Sequence, residues 1–148
     1  MTEKINILVL EDDDTRITHF RERFFSLFHS GNLEGTGKYM SEVCYAKTAQ
    51  EAIEFLKEIA HFDIIFLDHD LGQRTFVSPD DENTGSEVVR YLVEHSNEYS
   101  NTRFIIHSFN PIGAESMFNN IKEHIHRDVQ CIPGIWTRAI FNSIIRIK

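Results

Sequence analysis

The chain has 148 residues, 41% of them hydrophobic, and this length predicts one domain, residues 1–148, around a single core. Its 15 basic and 23 acidic residues give a formal net charge of −8, which argues against a general nucleic-acid-binding surface but allows a local phosphate site. The two cysteines form no disulfide framework and no metal-binding pair, so we expect a cytoplasmic protein. The N-terminal apolar run is too short for a signal peptide, and no run approaches the ~20 residues of a membrane span, so we expect no membrane association.

Strand-like and helical patterns alternate along the chain, which is typical of an α/β fold. In chain order the pattern predicts a strand at 5–10, a helix from residue 15, a loop at 30–38, a strand at 39–46, a helix at 49–59, a strand at 63–67, a helix at 86–95, a strand at 104–107, a helix at 114–126, a strand at 129–132 and a last helix after 133–134. This (βα)5 order predicts a flavodoxin-like, three-layer α/β sandwich whose parallel strands have the order 2-1-3-4-5.

The polar segment 73–84 is longer than the usual connection between a strand and a helix. It contains the acidic string "SPDDEN". Two interpretations stay open for it: a functional flap that closes over a ligand, or a mobile loop.

Polar side chains follow three of the predicted strands. The first strand runs into "EDDD" (11–14), the third into "DHD" (68–70) and the fourth into "HSFN" (107–110). In an open parallel sheet, ligands bind outside the carboxyl ends of the strands where the strand order reverses, which here lies between strands one and three. The winding therefore predicts one polar edge that gathers Glu11, Asp12, Asp68, Asp70, His107 and Ser108.

The carboxylates at this edge predict a divalent metal site. Several carboxylates held together repel one another and become partly protonated unless a cation lies among them. Oxygen ligands of this kind suit Mg²⁺ or Mn²⁺. The expected ligands are Glu11, Asp12, Asp68 and Asp70. The alternative is that acids just before a helix serve only as N-caps and dipole partners, an interpretation that applies above all to Asp13 and Asp14.

Three further side chains have a structural and a functional interpretation. His69 and His107 would each, taken alone, be hydrogen-bonded structural histidines, and two imidazoles beside one acidic edge strengthen the functional interpretation without displacing the structural one. Arg16, one turn into the first helix, is either a surface residue or a guanidinium directed at a bound phosphate.

Taken together, these strings resemble a response-regulator receiver domain over essentially the whole chain. "ILVLEDD" is similar to the first strand of that family with its acid pair, and "FDIIFLDHDLG" is similar to the strand that carries the phospho-accepting aspartate, here Asp68. The resemblance implies that Asp70 donates a backbone carbonyl to the metal and that Ser108 is the hydroxyl residue after strand four. Gly85 and Pro133 match the family's glycine before the third helix and its proline after strand five.

The chain departs from the receiver pattern at informative positions. The family has a lysine immediately before the last proline, whereas this chain has Ile132, and this loss of a cation puts phosphorylation signalling in doubt. The long segment after Gly72 and the additional polar residues are further departures. The strings "LDHDLG" and "HSFNPIGAESM" (107–117) resemble a narrower group, the cyclic-phosphate-processing receivers, which is assigned to 2′,3′-cyclic phosphate ends of RNA.

This second resemblance implies a metal-dependent phosphoesterase acting on a phosphate-bearing small molecule or an RNA end. Opening a cyclic phosphodiester needs an activated water, an acid for the departing alkoxide and neutralisation of the phosphoryl charge. The two imidazoles would share the acid and base roles, the metal would supply the neutralisation, and Ser108 and Asn110 would donate hydrogen bonds. The expected catalytic residues are Asp68, His69, His107, Ser108 and Asn110.

Two alternatives remain beside this hypothesis. One is a signalling receiver that takes a phosphoryl group from a phosphodonor on Asp68 and acts on a partner protein. The other is a catalytically silent interaction module that keeps only the metal site.

Overall fold

The computed structural model describes residues 3–29, 39–133 and 138–144. In chain order it contains β1 (Glu3–Leu10), α1 (Asp14–His29), β2 (Tyr39–Ala46), α2 (Ala49–Glu58), β3 (Ile64–Leu67), α3 (Gly85–Glu94), β4 (Arg103–Ile106), α4 (Pro111–His124), β5 (Val129–Cys131) and α5 (Arg138–Ile144). A short 3-10 helix, Ser96–Tyr99, follows α3 and was not predicted. The predicted loop at 30–38 and the start of the last helix lie outside the described residues. None of the helices in the described ranges is long and apolar enough to cross a membrane.

The predicted start of α4 at residue 114 is wrong by one turn. The helix begins at Pro111, and the Asn110 side chain accepts a hydrogen bond from the Gly113 backbone N–H (3.0 Å) at its N-cap. Proline is well suited to the first helical position because its missing N–H has no partner there in any case. Proline and glycine are poor helix formers elsewhere, so the apolar spacing alone hid this first turn.

The five strands form one parallel sheet with the order β2-β1-β3-β4-β5, which confirms the flavodoxin-like prediction. Leu10 pairs with Leu67, and Leu67 pairs with Ile106, so the three central strands end level with one another. The residues that follow them are therefore neighbours at one edge of the sheet. They are Glu11, Asp68 and His107.

Side-chain alternation decides which face of the sheet these three residues share. Residues Leu10, Leu67 and Ile106 belong to the core between the sheet and helices α2, α3 and α4. Since successive residues of a strand point to opposite faces, the next residue of each strand points to the other face, beneath α1 and α5. That face is packed by a cluster of aromatic rings whose centroids lie 5.1–6.5 Å apart: Phe20, Phe24, Phe66 and Phe141. The polar edge consequently opens beside the N-terminus of α1.

Candidate functional site

Three carboxylates meet at the carboxyl ends of β1 and β3. Glu11, Asp12 and Asp68 each offer an oxygen within 4.8 Å of the others. Glu11 is fully buried and Asp68 nearly so, whereas Asp12 lies at the surface of the cluster. Oxygen ligands at this spacing are those that Mg²⁺ and Mn²⁺ use, so the cluster is a candidate divalent-metal site.

The predicted fourth ligand, Asp70, directs its carboxylate elsewhere. Its Oδ1 accepts hydrogen bonds from Asn110 Nδ2 (2.9 Å) and the Val77 N–H (3.2 Å), and its Oδ2 accepts one from the Phe76 N–H (2.6 Å). Burial alone would raise the pKa of Asp70, but these bonds and one with His69 outweigh it and lower the pKa. The Asp70 side chain therefore does not join the metal cluster. The backbone carbonyl that the family resemblance assigns to this position stays a prediction.

The position of Asp68 strongly shifts the pKa of its carboxyl group. Burial, followed by the nearby charge of Glu11, raises the pKa of Asp68 well above its usual range, although the Arg16 guanidinium opposes the rise. The carboxylate accepts a hydrogen bond from the His69 backbone N–H at 2.8 Å. A buried carboxylate beside a second acid gains most from a divalent cation, because the cation removes the repulsion between them.

Arg16 is half-buried and pairs with this acidic cluster. Its Nε contacts Glu11 Oε1 at 2.6 Å, and its Nη2 lies 3.2 Å from Glu11 Oε2 and 3.6 Å from Asp68 Oδ2. The start of α1 positions it, because Asp13 Oδ1 accepts the Arg16 backbone N–H at 2.9 Å. Asp14 pairs with Lys47 at 2.6 Å. For Asp13 and Asp14 the contacts therefore favour the capping and surface interpretation.

A polar pocket of about 480 Å³ opens over the cluster. Its walls combine predicted site residues with residues that the sequence did not single out: Asp12, Asp13, Asp14, Thr15, Arg16, Asp68, Asp70, Gln73, Arg74, Thr75, Ser108 and Phe109. Among the described lining residues the cations are Arg16 and Arg74. The predicted Ser108 lines the same pocket as Asp68.

His107 lies below the pocket and does not line it. Its Nδ1 is 3.7 Å from Glu11 Oε1, and its ring packs edge-on against Phe20 with 5.4 Å between centroids. Burial lowers the pKa of His107 to about 4, although the Glu11 charge partly opposes the shift. The expectation that this imidazole titrates near pH 7 is therefore wrong, and the ring is neutral at physiological pH.

The pH dependence of stability provides a test of the His107 environment. Because its pKa is lower in the folded state than the ordinary value of 6.5, the unfolded chain binds the extra proton, and this contribution weakens the fold as pH falls from about 6.5 to 4. We expect His107→Leu to be less stable than wild type at pH 7, and the difference in free energy of unfolding between the two proteins to be smaller at pH 4.5. Urea unfolding of both proteins at several pH values measures this difference. A difference independent of pH would contradict the buried, neutral assignment.

His69 also points away from the pocket, between α3 and α4. Its Nδ1 lies 2.9 Å from Asp70 Oδ1 and its Nε2 lies 3.0 Å from Ser86 Oγ. The ring packs on the backbone of α4 so closely that a Cβ at Gly113 would lie 2.4 Å from its Cγ. His69 is thus placed as a buried structural histidine, and direct contact with a substrate is not supported.

Asn110 has both ends of its amide committed to structure. Its oxygen caps α4, and its Nδ2 donates to Asp70 Oδ1 and to the Val77 carbonyl, both at 2.9 Å. The residue is 4% exposed, so no donor is directed into the pocket for a phosphoryl oxygen. The predicted role as a hydrogen-bond donor to substrate is therefore replaced by a role in fixing the neighbouring loop.

The segment 71–84, named here the 71–84 loop, is tied to the fold by side-chain hydrogen bonds and contributes to the pocket wall. Arg74 donates from Nε to the Leu71 carbonyl (3.0 Å) and from Nη2 to the Asn83 carbonyl (2.8 Å). Arg90 on α3 donates to the Pro79 carbonyl at 2.8 Å. These bonds and those of Asp70 hold Gln73, Arg74 and Thr75 in the pocket wall. The length of the segment was the only sequence signal for this contribution.

The loop also contacts the metal cluster directly. The Gln73 backbone N–H donates to Asp12 Oδ2 at 2.9 Å, with Gln73 in the left-handed region at φ 59°. At the base of the loop, a Cβ at Gly85 would lie 2.1 Å from the Asp68 carbonyl oxygen, so α3 can start there only with glycine. The loop is thus bonded to Asp12 near its start and followed by a glycine packed on the Asp68 backbone.

Comparisons with known proteins identify the family and the fold of this chain. The family model of the "Cyclic-phosphate processing Receiver domain" matches residues 7–123. Among solved structures, the phosphorylated cyanobacterial phytochrome response regulator RcpA is similar at 17% identity and TM-score 0.62, covering 99% of this chain and 90% of that one. The Mn²⁺-bound response regulator Rcp1 is similar at 13% identity and TM-score 0.60, covering 95% and 88%.

A CheX–CheY–BeF3–Mg complex from Borrelia burgdorferi contains a chain similar at 17% identity and TM-score 0.61, with 95% of this chain and 86% of that chain covered. No curated protein matches the chain in sequence. At these identities the solved structures show the shared fold alone. The family model covers most of the chain, including the acidic cluster, the 71–84 loop and α4, and so the chain belongs to the family of cyclic-phosphate-processing receiver domains.

Proposed function

We propose that this protein is a metal-dependent phosphoesterase that opens cyclic phosphodiesters, such as the 2′,3′-cyclic phosphate at an RNA end, at the carboxyl edge of β1, β3 and β4. The observation that supports it is the cluster of Glu11, Asp12 and Asp68, with oxygens within 4.8 Å, at the floor of an open polar pocket. A divalent cation bound there, Mg²⁺ or Mn²⁺, would neutralise phosphoryl charge and lower the pKa of a bound water.

The residues of the pocket wall have distinct tasks in this proposal. The Arg16 guanidinium, 3.6 Å from Asp68, offers N–H donors to the non-bridging oxygens of a bound phosphate. Ser108, which also lines the pocket and whose Oγ accepts the Asn110 N–H at 3.0 Å, offers one hydroxyl donor. The acid and base roles predicted for His69 and His107 are not part of the proposal, because both rings are buried outside the pocket.

Hydrolysis of adenosine 2′,3′-cyclic phosphate in the presence of Mg²⁺ or Mn²⁺ tests the proposal. We expect turnover that chelation abolishes and that Asp12→Asn reduces by at least ~100-fold, since one ligand charge is lost. The matched control is Asp80→Asn, which makes the same change at an exposed position outside the pocket. Absence of turnover with both metals, across cyclic mononucleotides and a cyclic-phosphate-terminated oligonucleotide, would contradict the proposal.

A second candidate is a signalling receiver that accepts a phosphoryl group on Asp68. The presence of Asp68 and Ser108 in one pocket, and a fold shared with response regulators described as phosphorylated or BeF3-bound, favour it. Such a receiver would act with a phosphodonor and a partner protein. Intact-mass analysis after incubation with acetyl phosphate and Mg²⁺ separates the two candidates: one phosphoryl adduct, absent in Asp68→Asn, supports signalling. A protein that binds metal without adduct or turnover would be the silent module instead.

A further inference from the structure

One exposed phenylalanine lines the polar pocket, and a second follows a lining residue in the chain. Phe109 lines the pocket and is 61% exposed, and Phe76, which directly follows the lining residue Thr75, is 77% exposed. Single exposed apolar side chains are common on proteins. Two aromatic rings beside a pocket with carboxylates and a guanidinium are unusual, because neither ring contributes to the core.

Phe76 is held outward by the backbone around it. Its φ is 51°, in the left-handed region, which costs an ordinary side chain roughly 1–2 kcal/mol. Asp70 fixes this conformation, since Oδ2 accepts the Phe76 N–H at 2.6 Å while Oδ1 accepts that of the buried Val77. A bulky residue kept in a strained conformation without a packing role points to a use at the surface.

Phe109 lies at the boundary between the polar pocket and an apolar groove. Its neighbours Ser108 and Asn110 are 5% and 4% exposed, so the backbone on both sides of the ring is anchored. Phe109 and Ser108 also border a groove of about 370 Å³ formed with Pro111, Ala114 and Phe118. A ligand that reaches both cavities would have a charged end and a flat apolar end.

We infer, building on the proposed function, that Phe109, assisted by Phe76, stacks on the base of a nucleotide whose phosphate lies beside Asp68 and Arg16. The substrate class is then nucleoside phosphates, in preference to sugar phosphates that lack a base. Stacking of a base on an aromatic side chain contributes about 1–3 kcal/mol and accepts any base. The net charge of −8 disfavours a long bound RNA tract, so recognition is limited to the terminal nucleotide.

The test compares two cyclic phosphates that differ only in the base: adenosine 2′,3′-cyclic phosphate and the 2′,3′-cyclic phosphate of methyl riboside. We expect KM for the methyl riboside to exceed that for adenosine by roughly 10-fold in the wild-type protein. Phe109→Ala should raise KM for adenosine by about the same factor with kcat unchanged, and leave the methyl riboside unaffected. Phe76→Ala should act in the same direction, whereas Phe25→Ala, an exposed ring (67%) far along α1, should change neither substrate.

Equal KM values for the two substrates in the wild-type protein would overturn the inference while leaving the proposed function intact. So would a Phe109→Ala variant that affects both substrates equally, since this would assign the ring to pocket access. If neither substrate turns over, the proposed function fails, and the inference is then decided by binding. Ring-labelled phenylalanine NMR should show shifted Phe109 resonances with AMP and not with ribose 5-phosphate, and unshifted resonances with AMP would overturn it.

Discussion

Asp68→Asn is expected to abolish metal-dependent turnover and, in the absence of metal, to raise the stability of the protein. Activity should fall by at least ~1000-fold, because Asp68 is one of the three carboxylates of the cluster and its charge is required to hold the cation. The stability effect has the opposite sign, because burial and Glu11 raise the pKa of Asp68. Around neutral pH the fold then carries a carboxyl group that the unfolded chain would ionise freely, and an amide of the same shape removes this penalty.

The pH dependence follows from the direction of that shift. Between the usual pKa of 3.8 and the raised value, the unfolded chain releases a proton that the folded chain retains, so rising pH weakens the wild-type fold through this group. The advantage of Asp68→Asn should therefore be small near pH 4 and grow toward pH 7. A gain of about 1 kcal/mol corresponds to roughly 2–4 °C in Tm for a chain of this size.

Thermal unfolding with and without Mg²⁺ separates the effect of Asp68→Asn on metal binding from its effect on the stability of the metal-free fold. Metal should raise the Tm of the wild-type protein, because the cation binds only the folded cluster, and should leave Asp68→Asn unchanged. The control Asp63→Asn alters a half-exposed carboxylate at the other end of β3, which accepts the Asn6 N–H at 2.9 Å, and should not affect the response to metal. An Asp68→Asn variant that metal still stabilises as much as wild type would place the cation elsewhere.

The edge of the sheet could be predicted because topology and strand ends are both visible in the sequence. Once the order 2-1-3-4-5 is inferred from the (βα)5 pattern, residues Glu11, Asp68 and His107 must lie side by side, and they do. The pattern also contained information that was not used. Since strand side chains alternate, Asp68 and His69 must point to opposite faces, and His69 accordingly lies on α4 while Asp68 faces α1.

The sequence pattern could not predict whether each of these side chains reaches the pocket or is buried beneath it. A histidine after an apolar strand has the same sequence signature whether it reaches solvent or, as His107 does, packs beneath a carboxylate and against Phe20. The contribution of the 71–84 loop was hidden for a different reason, because its conformation depends on long-range bonds such as that from Asn110 to the Val77 carbonyl. Asn110 before a proline could, however, have been recognised as a helix N-cap.

The sequence strings that distinguish this chain from ordinary receivers contain residues that contact the 71–84 loop or pack beside those contacts. His69, Asp70, Asn110 and Gly113 all belong to one connected set of contacts that joins β3, α4 and the 71–84 loop. Their role is to position the pocket wall. The family motif thus marks the scaffold of the pocket as much as its chemistry.

Asp70→Ala is the substitution that should release this wall. It removes the acceptor of four hydrogen bonds, from the side chains of Asn110 and His69 and from the backbone N–H groups of Phe76 and Val77. Because Asn110 and His69 are buried, their donors would lose a partner without gaining water, at a cost of about 1–3 kcal/mol for each unsatisfied group. We expect the free energy of unfolding to fall by about 2–4 kcal/mol, less than the sum because the loop can relax.

Asp70→Ala should also have a local effect on the 71–84 loop. Hydrogen exchange followed by mass spectrometry should show faster exchange of the Phe76 and Val77 amides in Asp70→Ala, since their acceptor is gone, while the amides of β1 and β3 stay protected. Gln73, Arg74 and Thr75 should no longer be held in the pocket wall. The fold-increase in KM for a phosphate substrate should therefore be larger than the fold-decrease in metal affinity. Asp81→Ala, an exposed carboxylate in the same loop, is the matched control and should leave both exchange and KM unchanged. If the exchange of residues 73–77 is the same in Asp70→Ala and wild type, then Asp70 does not hold the loop.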